Sequence, residues 1–356
     1  MPETITEISS FTCPAPIQQR DRIVLGHGSG GRLSAELLRD VFLPLFSNPV
    51  LDRMDDQAIV EIGGARVAFT TDSFVVQPLF FPGGDIGSLA VHGTVNDLAM
   101  GGARPLFLSA GFILEEGFST EALRRIAASM AEAAAAAGVA IVTGDTKVVE
   151  RGKGDGLFIN TTGIGIVPDG VRLSASQARP GDRVILSGPI GDHGIAILCK
   201  REGLEFETEI LSDSAALHNL VAAMLAVDSG ANAIRCLRDP TRGGVSSSLN
   251  EIAAQSRVSI HLDETCIPVR DEVRGACELL GLDPLYVANE GKLLAIVAPE
   301  AADEIVRAMR SDVLGADAVI IGTVGDQSAG MVTMKTAFGS TRIVDMLAGE
   351  QLPRIC

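Results

Sequence analysis

Short runs of β-branched residues alternate with runs of helix-forming residues along most of this 356-residue chain. The clearest helix pattern begins at a Ser119/Thr120 cap and continues through alanine-rich sequence to Gly138. The strand pattern 157–167 follows it. This alternation favours an α/β fold, or α+β with mixed sheets, and the apolar fraction of 46% is enough for a core. The length favours about two domains.

Turn residues suggest where these domains meet. Residues 168–182 are rich in Gly, Pro and Asp, so we predict a first domain at 22–170 and a second at 171–341. We expect residues 1–21 to form a flexible polar arm. We expect residues 342–356 to form a flexible tail that carries Cys356 and has too few apolar anchors to join a core.

The spacing of apolar residues also predicts shorter elements that bear on function. They are a strand at 22–26 leading into a glycine-rich segment, a hairpin at 58–62 and 66–71, a helix at 86–100, a strand at 139–142 that hands over to a turn at 144–147, and a helix at 212–227.

The net charge of −16 argues against nucleic acid or an anionic membrane as a partner, because phosphate groups are bound by clustered Lys and Arg. The longest uncharged run, 133–143, is far below the roughly 18–20 residues that span a bilayer. The N-terminus lacks the pattern of a signal peptide, and none of the six cysteines forms a C-x-x-C pair. We therefore expect a cytoplasmic protein with reduced thiols.

The glycine-rich segment formally fits G-x-G-x-x-G at Gly26, Gly28 and Gly31. Pro49 lies where the second strand of a dinucleotide fold should run, which weakens that interpretation. No Gly-Lys-Ser/Thr follows, so the segment is not a P-loop. Two interpretations remain, a mobile lid over a ligand and a plain turn.

Acidic residues recur at the ends of predicted elements or in turns flanked by Gly and Thr. They are Asp55, Asp56, Asp72, Asp97, Asp145 and Asp239. Each one alone could be a helix cap or a turn residue. Gathered at strand ends, carboxylates repel one another unless a cation neutralises them, and Mg²⁺ shares such carboxylates with phosphate oxygens. The pattern therefore indicates a site for nucleotide and metal.

Three further residues could take part in chemistry. Lys147 and Glu290 each lie in a mixed acidic and basic run and could handle a proton, although surface salt bridges are the alternative. The terminal Cys356 could be a frayed end or a thiol on a carrier arm. Arg354 could favour its thiolate, while the terminal carboxylate opposes this.

Several motifs together resemble the carbamoyl dehydratase family of [NiFe]-hydrogenase maturation proteins, within the aminoimidazole-ribonucleotide-synthetase-like superfamily. The resemblance covers nearly the whole chain beyond about residue 20. The motifs are His27-Gly28-Ser29-Gly30-Gly31, Asp55-Asp56-Gln57-Ala58, Thr70-Thr71-Asp72-Ser73, residues 92–102, Thr143-Gly144-Asp145-Thr146-Lys147, residues 238–244 and the terminal Pro353-Arg354-Ile355-Cys356.

The resemblance implies two α/β domains and a homodimer whose N-terminal domains pair their sheets into a β-barrel. ATP and Mg²⁺ would lie in an interface cleft under the glycine lid. The residues carried over to ATP are Gly28, Gly30, Gly31, Asp72, Asn96, Thr143 and Gly144. Those carried over to the metal are Asp56, Asp97, Asp145 and Asp239, and those for catalysis are Cys356, Lys147 and Glu290.

The implied reaction begins when a carbamoyltransferase partner loads Cys356. ATP-dependent dehydration then gives a thiocyanate, whose cyanide passes to iron held by another maturation partner. Two alternatives remain at this point. A related synthetase acting on a diffusible substrate would not need Cys356, and a non-catalytic scaffold would not turn over ATP.

Overall fold

A computed structural model describes residues 22–204, 206, 208–228, 232–349, 351–352 and 354–356. The arm expected at 1–21 lies outside these residues. Within them, no helix is both long enough and apolar enough to cross a membrane.

The first described segment is helical rather than a strand. His27 N donates to Val24 O at 3.0 Å, and this bond turns the backbone into a 3₁₀-helix at Leu25–Gly28. The predicted strand at 22–26 is therefore wrong. A single helical stretch follows, made of α1 (Arg32–Leu37), a π-helical segment (Leu38–Phe42) and α2 (Leu43–Phe46). Leu51–Arg53 forms a further 3₁₀ turn.

A five-stranded mixed sheet forms the first half of the protein, in the order β1-β2-β7-β5-β6. The predicted hairpin and the predicted helix at 86–100 are both confirmed. The elements are β1 (Ala58–Ile62), β2 (Ala65–Phe74), β3 (Phe80–Phe81), β4 (Gly84–Asp85), α3 (Ile86–Met100), β5 (Arg104–Glu115), α4 (Thr120–Ala136), β6 (Ala140–Val149) and β7 (Leu157–Ile166).

Helix α3 lies at the centre of this half. Asp85 caps it, since its Oδ1 accepts hydrogen bonds from Gly87 N at 2.8 Å and Ser88 N at 3.1 Å. Most of its residues are buried, because the helix contacts β2, β5 and β7 on one side and α4 on another. Both helices cover the same face of the sheet, and the other face is open.

A seven-stranded sheet forms the second half, in the order β14-β13-β10-β12-β8-β11-β9. Short 3₁₀ turns lie at Glu264–Cys266, Pro284–Tyr286 and Val313–Gly315. The elements are β8 (Arg183–Leu186), α5 (Asp192–Glu202), α6 (His218–Asp228), β9 (Ile234–Arg238), α7 (Gly244–Ser256), β10 (Ser259–Asp263), α8 (Asp271–Leu280), β11 (Leu294–Val297), α9 (Ala302–Met309), β12 (Val319–Gly325), β13 (Val332–Lys335) and β14 (Thr341–Ile343).

Two predicted boundaries are wrong for physical reasons. Strand β6 continues through 144–147, where a turn was expected, because β5 pairs with it in parallel along its length. Helix α6 begins at His218 rather than at 212. The backbone of 212–217 bonds elsewhere instead, with Ser212 N donating to Pro82 O at 2.9 Å and Leu217 N to Asn96 Oδ1 at 2.8 Å.

The tail is anchored, contrary to the expectation that it lacks core residues. Val344 is fully buried after β14. Ile355 is 3% exposed and packs in a cluster with Phe74 and Val76. Its carbonyl oxygen also lies 2.8 Å from His193 Nε2. Two apolar side chains and the carbonyls near the terminus therefore fix the end of the chain against the body of the protein.

Candidate active site

A polar cleft of about 270 Å³ opens where residues of both halves meet. Strand β2, helix α3 and the connection from β9 to α7 supply most of its walls. The lining residues are Gly30, Asp56, Thr71, Asp72, Gly93, Asp97, Arg238, Asp239, Thr241, Arg242, Ser247, Ser248, Glu251, Glu290 and Cys356.

The cleft unites part of the site predicted from the sequence. It includes Gly30, Asp56, Asp72, Asp97, Asp239, Glu290 and Cys356. The structure does not bring the remaining predicted residues into its lining: Gly28, Gly31, Asn96, Thr143, Gly144, Asp145 and Lys147.

The carboxylates in the cleft are only partly neutralised. Arg238 Nε lies 3.0 Å from Asp56 Oδ1, and the same guanidinium pairs with Glu251. The side chain of Asp97 accepts a hydrogen bond from Thr70 Oγ1 at 2.8 Å. Burial raises the pKa of Asp97 well above its ordinary value, and the neighbouring carboxylates raise it further. Burial also raises the pKa of Asp239 to about 6.

These raised pKa values describe carboxylates that a cation would stabilise. Among the described residues, no three His, Cys, Asp or Glu side chains are grouped so as to hold a metal ion by themselves. The arrangement fits Mg²⁺ in its usual protein setting, where one or two carboxylates share the ion with phosphate oxygens and water.

Glu290 is only 3% exposed, and its Oε1 atom has no hydrogen-bond partner within the described chain. Its backbone N donates to Asp213 Oδ1 at 3.0 Å, which fixes the main chain at this point. A Cβ at the next residue, Gly291, would lie 1.8 Å from Asp213 O, so only glycine permits this approach. Burial raises the pKa of Glu290 well above its ordinary value, and the carboxylates of Asp239 and Asp72 add to the shift. A buried carboxyl group with a raised pKa is, when ionised, a stronger proton acceptor than an exposed one.

Cys356 places its thiol in the same cleft. Val75 N donates to a main-chain carboxylate oxygen of Cys356 at 3.0 Å. Burial raises the pKa of the thiol, while the positive charge of Arg242 opposes this rise. Arg354, which the sequence suggested as the neighbouring cation, pairs with Asp155 instead.

Arg242 is the main functional candidate that the sequence reasoning missed. Its Nη1 donates to Gly28 O at 3.1 Å, which ties the glycine-rich segment to the cleft. Gly30 has a φ of 71°, and a Cβ there would lie 2.5 Å from Arg242 Cβ and O. The proximity of Cys356 and Asp72 raises the pKa of Arg242. Its place in the run 238–244, directly after Asp239, was a usable signal.

Asn96 does not line the cleft, but its side chain binds the backbone of segments next to it. Its Nδ2 donates to Ala215 O at 3.0 Å and to Glu290 O at 3.2 Å, and its Oδ1 accepts from Leu217 N. All three bonds are to backbone. Asn96 therefore holds the segment that carries Glu290.

Asp145 and Lys147 pair with each other on β6, whose residues are exposed except Val149. The sheet register places four residues in one row across the strands. They are Asp145 on β6, Gly111 on β5, Asn160 on β7 and Ser73 on β2. Because strand side chains alternate between faces, this row lies on the face opposite to that of Asp72. One chain therefore cannot bring Asp145 and Asp72 into the same cleft.

The open face of the first sheet is apolar over much of its area. Phe69, Ile164 and Phe107 are consecutive across β2, β7 and β5 and form one exposed row. On β5, Ile113 lies on the same face and is 46% exposed. A contiguous apolar surface of this kind marks an interaction site.

Comparison with known families matches both halves of the chain. Residues 54–167 match the N-terminal domain of AIR synthase related proteins, and residues 179–335 match the C-terminal domain of the same family. The two matches together cover more than half of the chain.

Close relatives and solved structures narrow the family. Carbamoyl dehydratase HypE of Azotobacter vinelandii is 62% identical over 330 residues, covering 93% of this chain and 96% of that protein. A crystal structure of a HypE–HypF complex has a TM-score of 0.83 at 50% identity, covering 87% of this chain and 99% of the other. A crystal structure of HypE in complex with ATP has a TM-score of 0.79 at 51% identity, covering 94% and 100%. The chain therefore belongs to the AIR synthase related proteins and, within them, to the carbamoyl dehydratases HypE, enzymes of hydrogenase maturation.

Proposed function

We propose that the chain carries a carbamoyl group as a thioester on Cys356 and dehydrates it, at the expense of ATP, to a thiocyanate. One observation carries this proposal. The terminal thiol lies in the same cleft as the carboxylate cluster and the unpartnered carboxyl oxygen of Glu290. A diffusible substrate would leave the position of Cys356 without a purpose.

The reaction balances as follows. The oxygen of the S–C(=O)–NH₂ group takes the γ-phosphoryl group of ATP, ADP leaves, and the nitrogen loses its first proton. The nitrogen then loses its second proton and the C–O bond breaks. Inorganic phosphate departs, and the product is the thiocyanate S–C≡N. Phosphorylation is needed because an amide-type oxygen is otherwise a poor leaving group.

Glu290 and Arg242 line the cleft together with Cys356. We assign removal of a nitrogen proton to Glu290, because burial and neighbouring carboxylates raise its pKa and make its ionised form a stronger base. Arg242 provides positive charge beside the thiol and the neighbouring acids. It would stabilise charge that develops on the carbamoyl oxygen and the transferring phosphoryl group.

Asp56, Asp72, Asp97 and Asp239 would hold Mg²⁺ together with the phosphates of the nucleotide. The ion would supply positive charge that stabilises the phosphoryl group being transferred. A HypE at 51% identity has been solved in complex with ATP, which supports nucleotide binding by this chain.

A second copy of the chain would complete the site. Thr143, Asp145 and Lys147 face the open side of the first sheet, with Gly144 between them on the same strand, so they can serve a cleft only if it belongs to another chain. We therefore propose a homodimer in which residues 22–170 form the nucleotide-binding and dimerisation domain and pair their sheets into a barrel. The exposed apolar row on that sheet supports this arrangement.

Two further partners follow from the reaction. A carbamoyltransferase would load Cys356, and the solved HypE–HypF complex of a relative supports such a contact. An iron-carrying maturation complex would accept the cyanide. The loading partner must reach Cys356 outside the cleft, so residues 342–356 would alternate between a docked and a released position.

Intact-protein mass spectrometry tests the proposal. The transferase, carbamoyl phosphate and ATP should give wild-type protein a carbamoyl adduct that loses one water only when ATP is present. Cys356→Ala should gain no adduct, whereas Cys266→Ala, which removes an exposed thiol elsewhere, should behave as wild type. Adduct formation and water loss in Cys356→Ala would rule out the thiol carrier.

A further inference from the structure

The last residues of the tail lie along the segment that follows β2. Val75 N donates to Cys356 O at 3.0 Å, and Gln77 N donates to Arg354 O at 3.2 Å. These two bonds alternate along the segment, as main-chain bonds do when an extended peptide binds beside another. Two main-chain bonds alone would permit the tail to fray, so the side chains around it decide how firmly it is held.

His193 holds the carbonyl group between these two bonds. Its Nε2 lies 2.8 Å from Ile355 O, and its Nδ1 lies 2.8 Å from Ser212 Oγ. A carbonyl oxygen can only accept, so Nε2 carries the proton and Nδ1 accepts from the serine. The ring is fully buried and lies edge-on to Phe81, and burial lowers the pKa of His193. Burial therefore favours the neutral ring, and the two contacts fix one tautomer of that form.

Arg201, near the other end of α5 from His193, holds the carbonyl group of Arg354. Its Nη2 donates to Arg354 O at 2.8 Å, and its Nε donates to Gln77 O at 2.8 Å. One guanidinium thus bridges the tail and the segment on which the tail lies. Its planar fork fixes the spacing of the two strands in a way that a single ammonium group could not.

We propose that His193 and Arg201 are positioning residues that set the place of the Cys356 thiol in the cleft for dehydration. The inference rests on the proposed role of Cys356 as carrier. Neither residue touches the reacting atoms; each acts through a carbonyl one or two residues before the thiol.

The serine that orients His193 belongs to the loop that also fixes Glu290. Ser212 Oγ accepts from Ser214 N at 3.1 Å, and Asp213 Oδ1 accepts from Glu290 N. The loop thereby ties the tail and the proposed base to one rigid segment. Loss of either tail contact should change the distance between thiol and base without altering the base itself. Such misplacement lowers a reaction rate strongly even when no reacting group is removed.

Alkylation of Cys356 by a maleimide measures docking independently of the reaction. We would use the full chain in a Cys266→Ala background and read Cys356 modification by mass spectrometry. His193→Leu and Arg201→Met should each raise the alkylation rate by about fivefold to tenfold, the factor that loss of one net hydrogen bond corresponds to. His193→Gln keeps a donor and should stay near the wild-type rate. Lys200→Ala, an exposed neighbour on α5, is the matched control.

Dehydration of protein already loaded with the carbamoyl group is the second readout. It should slow by a similar factor in His193→Leu and Arg201→Met, whereas loading by the transferase should not slow, because loading uses the released tail. Unchanged alkylation in both variants would overturn the inference, and so would faster alkylation with normal dehydration. If wild-type adduct never loses water, the proposed function fails, while the alkylation rates still decide whether these residues hold the tail.

Discussion

The two sides of the first sheet present opposite kinds of surface. On the side covered by α3, the cleft is formed within one chain: Asp72 and Glu290 converge there, and Ile355 anchors the tail beside them. On the open side, Asp145 and Lys147 lie on an exposed strand among apolar side chains. Asp72 and Ile355 on one side and Asp145 and Lys147 on the other belong to motifs that resemble one family, yet a single chain brings only the first set together.

This difference separates two sources of order in the proposed site. Contacts within the chain fix Cys356, the proposed base Glu290 and the carboxylates of the cleft, so their positions need no second chain. The residues of β6 can form a site only against a second chain. The exposed apolar row at Phe69, Ile164 and Phe107 supplies a surface that would bind that chain. Variants on the two sides should therefore fail in different ways.

The largest effect should come from the covered side. Glu290→Gln removes the proposed base while keeping its size, so dehydration of loaded protein should slow by about 10²–10⁴-fold. Carbamoyl loading should be unchanged, because Glu290 takes no part in it. Intact-mass measurement of the adduct over time gives both rates. Glu278→Gln, at an exposed position on α8, serves as the control, and normal dehydration in Glu290→Gln would remove this residue as the base.

Mixed dimers test whether β6 serves the other chain. Lys147→Ala and Glu290→Gln proteins should each be nearly inactive alone. If Lys147 acts in the partner's cleft, a mixed dimer holds one intact site. A random equal mixture should then recover about a quarter of the wild-type activity, since half of its dimers are mixed.

The same mixture would remain inactive if both residues served the cleft of their own chain. Dimer exchange must be shown first, for example by native mass spectrometry with one isotope-labelled chain. A Glu290→Gln protein mixed with itself, labelled and unlabelled, controls for any effect of exchange. Lack of recovery after complete exchange would contradict the arrangement across the interface.

A smaller effect is expected for association itself. Ile164→Asp places an unpaired carboxylate in the middle of the exposed apolar row of the proposed interface, at a side chain that is 40% exposed in one chain. Burial of such a charge costs several kcal/mol, so dimerisation should weaken by at least about tenfold. Val313→Asp, at an even more exposed apolar side chain of the second half, should leave it unchanged. Sedimentation velocity over a dilution series measures both, and equal association would place the interface elsewhere.

The sequence was most informative where local rules decide the structure. The hairpin at Ala58–Ile62 and Ala65–Phe74 follows from alternating residues around Gly63 and Gly64, and the start of α4 follows from the Ser119 cap. Asp56, Asp97 and Asp239 converge as the acidic pattern predicted. Asp145 fits the same pattern but faces the other side of the sheet, so the pattern alone did not identify which acids meet.

The sequence was least informative where long-range contacts override local preference. The segment 212–217 has helical periodicity, yet its backbone bonds to Pro82, Asn96 and Glu290, and these bonds form only after both halves fold. The tail was predicted to lack anchors because only Ile355 and Leu352 are apolar near its end. Its attachment depends on His193 and on carbonyl groups, which no hydrophobic pattern reports.

The smallest expected effect concerns the ion pair at the tail. Arg354 pairs with Asp155, and both side chains are partly exposed, so solvent screens their attraction. Asp155→Asn should loosen the tail by about 0.2–1 kcal/mol, at most about a fivefold rise in Cys356 alkylation. The rise should shrink at about 1 M salt, where the Debye length is only about 3 Å. Asp326→Asn, an exposed acid of the second half, is the control. An effect of Asp155→Asn that exceeds that of His193→Leu would mean that charge, rather than the buried carbonyl contacts, holds the tail in the cleft.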